Sequence, residues 1–202
     1  MINLRDRESK HSSRREVYLD DEKARREYCR ITAGIVGPGA YPGAYVMVAE
    51  HRGKPHYRVL KCVSCDSPTI LGEKMKAEKR KSHVSQIFGN LEDEGFRKHL
   101  QRTRQYLPIL QAPFASDFPY ALNLVRDLVR PSRKRLMLGD HRSLEEELRR
   151  LPEILKGVRS EEYPLTLALT YAVGGMETYK HNPDQEFEIR ALNEQLHYQY
   201  ES

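Results

Sequence analysis

Ile31-Thr32-Ala33-Gly34-Ile35-Val36-Gly37-Pro38-Gly39-Ala40-Tyr41-Pro42-Gly43-Ala44-Tyr45-Val46-Met47-Val48 is the stretch on which the reading of this chain turns. Two strand-like runs, Tyr28 to Val36 and Ala44 to Glu50, flank a loop of glycine and proline. No Gly-Lys-Ser/Thr follows that loop, so it is not a phosphate-cradling Walker motif, and its glycines and prolines are read as shaping a tight connection. His51-Arg52-Gly53-Lys54 supplies a second short turn. From His56 to Ser64 the chain alternates Tyr57, Val59 and Lys61 against Arg58, Leu60 and Cys62, as a third antiparallel strand does. Two short connections in succession predict a meander.

Beyond the meander, helical and strand-like runs alternate. Pro68-Thr69 opens a helical region to about Lys81, and Val84 to Phe88 is a short apolar run before Gly89-Asn90. A helix over Glu92 to Arg104 and a strand over Leu107 to Leu110 follow. Ser116 is the predicted cap of a helix in which Phe118, Leu122, Val125 and Val129 recur at near-helical spacing. Arg135 to Leu138 reads as an edge strand. Ser143 with Glu146 has the form of a capping box ahead of a Leu144, Leu148, Leu151, Leu155 stripe. The last strong helix runs from about Tyr163 to Glu177. The order predicts an α/β domain whose mixed sheet is covered by helices on both faces. We assign 1–22 to a polar arm or linker, 23–180 to the domain and 181–202 to a C-terminal extension.

With 202 residues, 39% of them apolar and 31% charged, the chain has material for one good-sized core. No apolar run approaches the ~20 residues that span a bilayer, so no membrane partner is expected. Met1 to Lys10 lacks the apolar stretch of a secretory signal, and three cysteines suit a reducing, cytoplasmic compartment. The net charge of +5 is concentrated. Residues 74–104 hold nine Lys/Arg against four acids, and 126–135 hold five against Asp127. Lys74, Lys76, Lys79, Arg80 and Lys81, with Lys98, Arg102 and Arg104, are therefore candidates for phosphate contact, and Arg133, Lys134 and Arg135 extend the track. The competing reading is a solvated face whose long side chains cover apolar surface with their stems.

The chain resembles the ribonuclease-H-like fold, and more narrowly the C-terminal nuclease domain of the large terminase subunits that package viral DNA. The resemblance rests on Ile31 to Gly39 followed by Tyr45-Val46-Met47-Val48, and on Ile87-Phe88-Gly89-Asn90 before a helix. Leu144-Glu145-Glu146-Glu147-Leu148 ahead of Leu167-Ala168-Leu169-Thr170-Tyr171-Ala172-Val173 completes it. It implies two divalent ions, Mg or Mn, held by carboxylates that activate water against a phosphodiester. One such Asp falls where this chain has Val36 or Gly37, another at Asn90 and a third at Leu167. Either the metal chemistry is lost and a binding surface remains, needing no cofactor, or displaced acids supply it. Glu50, Asp66, Glu92, Asp93, Glu161 and Glu162 are the candidates for such a displaced site.

Smaller signals compete. Cys62-Val63-Ser64-Cys65 has the spacing of half a zinc site, which Cys29 and a histidine would have to complete, although Cys29 and Cys62 fall near opposite ends of their strands. Tyr41 at the loop tip is a candidate for stacking on a base or packing against a partner. No serine lies in a G-x-S-x-G elbow, and His141 beside Asp140 reads as part of a helix cap. The expected function is a nucleic-acid-binding, nuclease-like domain acting on DNA in viral packaging inside the host cell, with other packaging proteins as partners and with hydrolysis reduced or absent. The alternatives are a metal-dependent endonuclease and a protein-interaction domain. No ATPase motif is present, so a motor would reside elsewhere.

Overall fold

Alternation builds the centre of the molecule. In the computed structural model, which describes residues 28–52, 56–102, 107–130, 132, 135–150 and 160–178 (without the Cys29 and Ser160 side chains), three nine-residue strands form the predicted meander. These are β1 (Tyr28–Val36), β2 (Gly43–His51) and β3 (Tyr57–Cys65). β1 and β2 pair antiparallel from Val36↔Ala44 to Tyr28↔His51, and β2 pairs with β3 from Gly43↔Cys65 to Glu50↔Tyr57. Ile31, Ala33, Ile35, Tyr45, Met47 and Ala49 share one apolar face, while Ala44, Val46, Val48, Tyr57 and Val59 share the other. Both faces are buried, which requires helices on each.

β4 (Gln86–Gly89) lies parallel to β1, β5 (Ile109–Gln111) parallel to β4, and β6 (Leu136–Met137) parallel to β3. The strand order is β5-β4-β1-β2-β3-β6, and β2 alone runs against the rest. That direction rule places the helices. α1 (Pro68–Lys81) joins β3 to β4, α2 (Glu94–Arg102) joins β4 to β5, and α3 (Phe118–Val129) joins β5 to β6. Each links two strands of the same direction, so each starts at the edge where those strands end and returns to the edge where they begin. α1 and α2 cover the face of Ile35 and Met47 with Leu71, Met75, Phe96 and Leu100. α3, α4 (Arg142–Arg150) and α5 (Pro164–Thr178) cover the other.

α5 is apolar on nearly every side and buried from Pro164 to Met176. It lies antiparallel on β1: Thr32 Oγ1 donates to Ala172 O at 3.2 Å, and Arg30 Nη2 donates to Met176 O at 2.5 Å. Gly34 makes the approach possible, since a Cβ there would stand 1.8 Å from Ala168 O.

Two predicted caps are corrected. Asp117, not Ser116, caps α3, its Oδ1 accepting from Tyr120 N at 3.0 Å, and Pro119 follows within the first turn. Ser143 caps nothing, because α4 already begins at Arg142 and Glu145 N donates to His141 O at 3.0 Å. The segments 1–22 and 181–202, with Leu151 and Leu155 of the predicted stripe, lie outside the described residues.

Candidate functional site at the strand ends

The ends of β1, β4 and β5 and the start of α5 meet at one edge of the sheet. After β4, the chain turns on side chains of its own. Asn90 Oδ1 accepts from Glu92 N at 3.0 Å, and Gln111 Oε1 accepts from Leu91 N at 2.8 Å. Asp93 then starts α2, its Oδ1 accepting from Phe96 N at 3.2 Å. Its other oxygen, Oδ2, lies 2.7 Å from where a Cβ on Gly37 would stand, and Phe96 Cβ lies 2.4 Å from the same point. A side chain at position 37, just past the end of β1, therefore has no room, because Phe96 and the Asp93 carboxylate already fill that space, while Val36, the last residue of the strand, packs against apolar neighbours.

From the other side comes the turn Ser160–Glu162 that precedes α5. Glu162 Oε1 accepts from the Tyr41 hydroxyl at 3.2 Å, which ties the Gly37–Gly43 loop to α5. Tyr171, buried in the aromatic cluster with Phe88 and Phe118, has its phenol pushed up to about 12, first by burial and then by the negative fields of Glu161 and Asp93. Those two acids, from segments 68 positions apart in sequence (93 and 161), thus both bear electrostatically on the same phenol.

A further carboxylate at this end is not marked by any local spacing. Glu147 of α4 accepts from Leu165 N at 3.3 Å and from Thr166 N at 2.8 Å, capping α5 from another helix. Burial pushes its carboxyl up, outweighing these bonds and Arg150, which pull it down. No local spacing reveals such a cap, because its partners are backbone groups 18 and 19 residues away.

The candidate acids divide. Asp93, Glu161 and Glu162 come to this edge, with exposed Glu92 beside Asp93, and Asp66 lies exposed between β3 and α1. Glu50 belongs to the opposite edge, 3.5 Å from Arg30. Leu167 is buried in the core, and among the described residues no three Cys, His, Asp or Glu side chains are placed to hold a metal ion. The Cys62/Cys65 zinc half-site is corrected by the strand period: Cys62 packs with one core and Cys65 with the other, on opposite faces of β3. Burial also pushes the Cys62 thiol up to about 12. His141 points to the backbone, its Nε2 lying 3.4 Å from Val59 O.

The predicted phosphate-contact residues gather away from this edge. Lys79, Arg80 and Lys81 form the last turn of α1, and Arg102 ends α2. Arg80, Lys81 and Arg102 are exposed, while burial lowers the pKa of Lys79. Lys74 is exposed and Lys76 half-buried along α1. Lys98 is held by Glu94 at 2.5 Å, and Arg135 lies 3.8 Å from Glu177 with its guanidinium over the Tyr57 ring. Arg104, Arg133 and Lys134 lie outside the described residues.

A β1–β3 meander extended by parallel β4 and β5, with an apolar helix laid antiparallel on β1, decides the architecture. The chain has the ribonuclease-H-like fold of the large-terminase nuclease domain. The manganese-bound nuclease domain of the bacteriophage SPP1 large terminase, g2p, matches with a TM-score of 0.57 and 15% identity over 81% of this chain and 94% of that one. The large terminase of the thermophilic bacteriophage D6E matches at 0.54 with 13% identity over 74% of this chain, and its ATP-gamma-S complex at 0.54 with 12% identity over 72%. This chain spans 40% of the length of that D6E terminase. No protein-family model and no curated protein sequence matches. At these identities the terminase likeness is one of fold, and the side chains carry the rest.

Proposed function

We propose that this terminase-like domain binds DNA in viral genome packaging with its hydrolytic chemistry reduced or lost. The observation that carries the reading is the closed end of β1. A two-ion nuclease site needs several oxygen ligands converging at the strand ends. Position 36 holds Val36, packed against apolar neighbours, position 37 has no space for a side chain, Asn90 Oδ1 already accepts from Glu92 N, and Leu167 is buried in the core. These donors do not fit a pair of Mg²⁺ or Mn²⁺ ions. What remains is a basic domain whose Lys/Arg side chains suit a phosphate backbone without reading sequence.

One observation favours a second reading, a metal-dependent endonuclease with relocated acids. Asp93 brings a carboxylate oxygen to the place where a side chain at position 37 would begin, and its negative field and that of Glu161 both act on Tyr171. Incubating supercoiled and linear DNA with the protein in Mg²⁺ or Mn²⁺, with binding measured in parallel in EDTA, separates the two. The expected outcome is salt-sensitive binding without nicking. Nicking abolished by Asp93→Asn or Glu161→Gln would establish the second reading instead. Neither binding nor cleavage would leave a protein-interaction domain.

A further inference from the structure

The topology sends the C-terminal ends of α1, α2 and α3 to one edge of the sheet, the edge opposite the acids. Cations collect there from both faces: Arg80 and Lys81 from α1, Arg102 from α2, and Arg126 and Arg130 from α3. The acids of that region are engaged within the fold: Glu50 with Arg30, Glu78 with Lys61 and Ser82, Glu177 with Tyr57 and Arg135, and Asp127 with Arg130, whose charge it offsets. Cations at helix ends also complement the helix dipole, which amounts to about −0.5 charge at a C-terminus. Lys79-Arg80-Lys81 brings +3 to the end of α1 alone, well beyond that requirement. The opposite edge presents Asp93, Glu161 and Glu162, which repel phosphate, with Glu94 offset by Lys98.

We infer that duplex DNA docks through its phosphates on this basic edge and not on the nuclease-like edge, an inference that rests on the DNA-binding reading above. Six strands at about 4.8 Å spacing make an edge about 24 Å long, enough to follow roughly seven phosphates of one strand at ~3.4 Å each. Backbone contacts of this kind carry affinity and salt dependence but no base preference. DNA held there stays bound when divalent ions are removed, because no acid has to be screened first.

The test compares two exposed pairs of equal charge in the full chain. Arg80→Gln/Arg102→Gln removes two cations from the basic edge, and Arg149→Gln/Arg150→Gln removes two from the end of α4, whose Glu147 caps the start of α5. Binding of a 25-base-pair duplex is followed by fluorescence anisotropy in EDTA across a salt series. The first pair is expected to weaken binding about tenfold or more and to lower the slope of log affinity against log salt by up to ~1.8, that is ~0.9 for each phosphate no longer neutralised. The second pair is expected to change affinity less than twofold. Equal losses from both pairs, a loss from the second pair only, or no loss from either with DNA still bound would each overturn the basic-edge assignment while leaving DNA binding intact. Failure of the unaltered protein to bind duplex DNA would overturn this inference and the DNA-binding function together.

Discussion

The two edges of the sheet are closed by the same device and differ in charge. At the strand ends, α5 begins under a carboxylate, Glu147, and its surroundings are acidic. At the strand starts, α5 finishes under a guanidinium, Arg30 to Met176 O, and its surroundings are basic. Each edge thus offers the charge that a helix end attracts, negative at the N-terminus and positive at the C-terminus. An α/β arrangement with one helix antiparallel to β1 becomes electrically polar by construction, and function then depends on which edge carries more than the helix needs. Here the surplus is positive.

The comparison breaks most severely if α5 is unseated. Gly34→Ala drives a Cβ against the Ala168 carbonyl at 1.8 Å, and backbone cannot rotate away as a side chain can. A loss of about 3 kcal/mol or more in unfolding free energy is expected by urea titration, with both edges disturbed together. Tyr57→Phe acts on the basic edge alone. It removes the hydroxyl that donates to Glu177, a bond to a charged group whose removal costs about 1–2 kcal/mol. The melting temperature should fall while the acidic edge, read by the titration of Tyr171, stays unchanged.

Glu147→Leu is the matching cut at the acidic edge and should cost about 1 kcal/mol, the usual effect of removing a helix cap. Its pH dependence gives a sharper signature. Because the folded state holds the Glu147 carboxyl above its ordinary value of 4.5, the folded protein binds that proton more tightly than the unfolded chain does. The stabilisation linked to this group is therefore fully present below about pH 4.5 and is lost as pH rises through the raised folded value. Glu147→Gln, which keeps an acceptor oxygen, should remove that dependence when stability is compared pairwise between pH 4 and 7. The smallest effect concerns reactivity. Cys62, pushed up to about 12, should label with a maleimide at pH 8 at least tenfold more slowly than Cys65, read by peptide mass mapping.

The fold is legible in the sequence because strand period, Gly/Pro punctuation and apolar stripes are local signals. Tyr28 to Val36 is the predicted first strand, and the second and third differ by a residue at their ends. The corrected caps are also local in origin: Asp117 competes with Ser116 one position on, and its carboxylate reaches Tyr120 N. The absence of acids at Gly37, Asn90 and Leu167 can be read from the sequence, but its consequence cannot. That Phe96 fills the space at Gly37, that Asp93 leans over it, and that Glu147 holds α5 all depend on contacts between distant segments. Cys62 and Cys65 are separable by the period-2 rule alone once β3 is accepted. The charge clusters are visible, yet only strand direction reveals that the C-terminal ends of α1, α2 and α3, with Arg80, Arg102 and Arg130, come to one edge.

Gly37 has a further meaning for any attempt to reverse this architecture. Placing Asp at 37 alone would not restore a strand-end carboxylate, because Phe96 and Asp93 stand within 2.7 Å of its first side-chain atom. Only a combined change, with a smaller residue at 96 and the acid at 93 withdrawn, opens the way. The packing at this edge is thus epistatic: a single change that adds a side chain at 37 is opposed by neighbours that fit its present company.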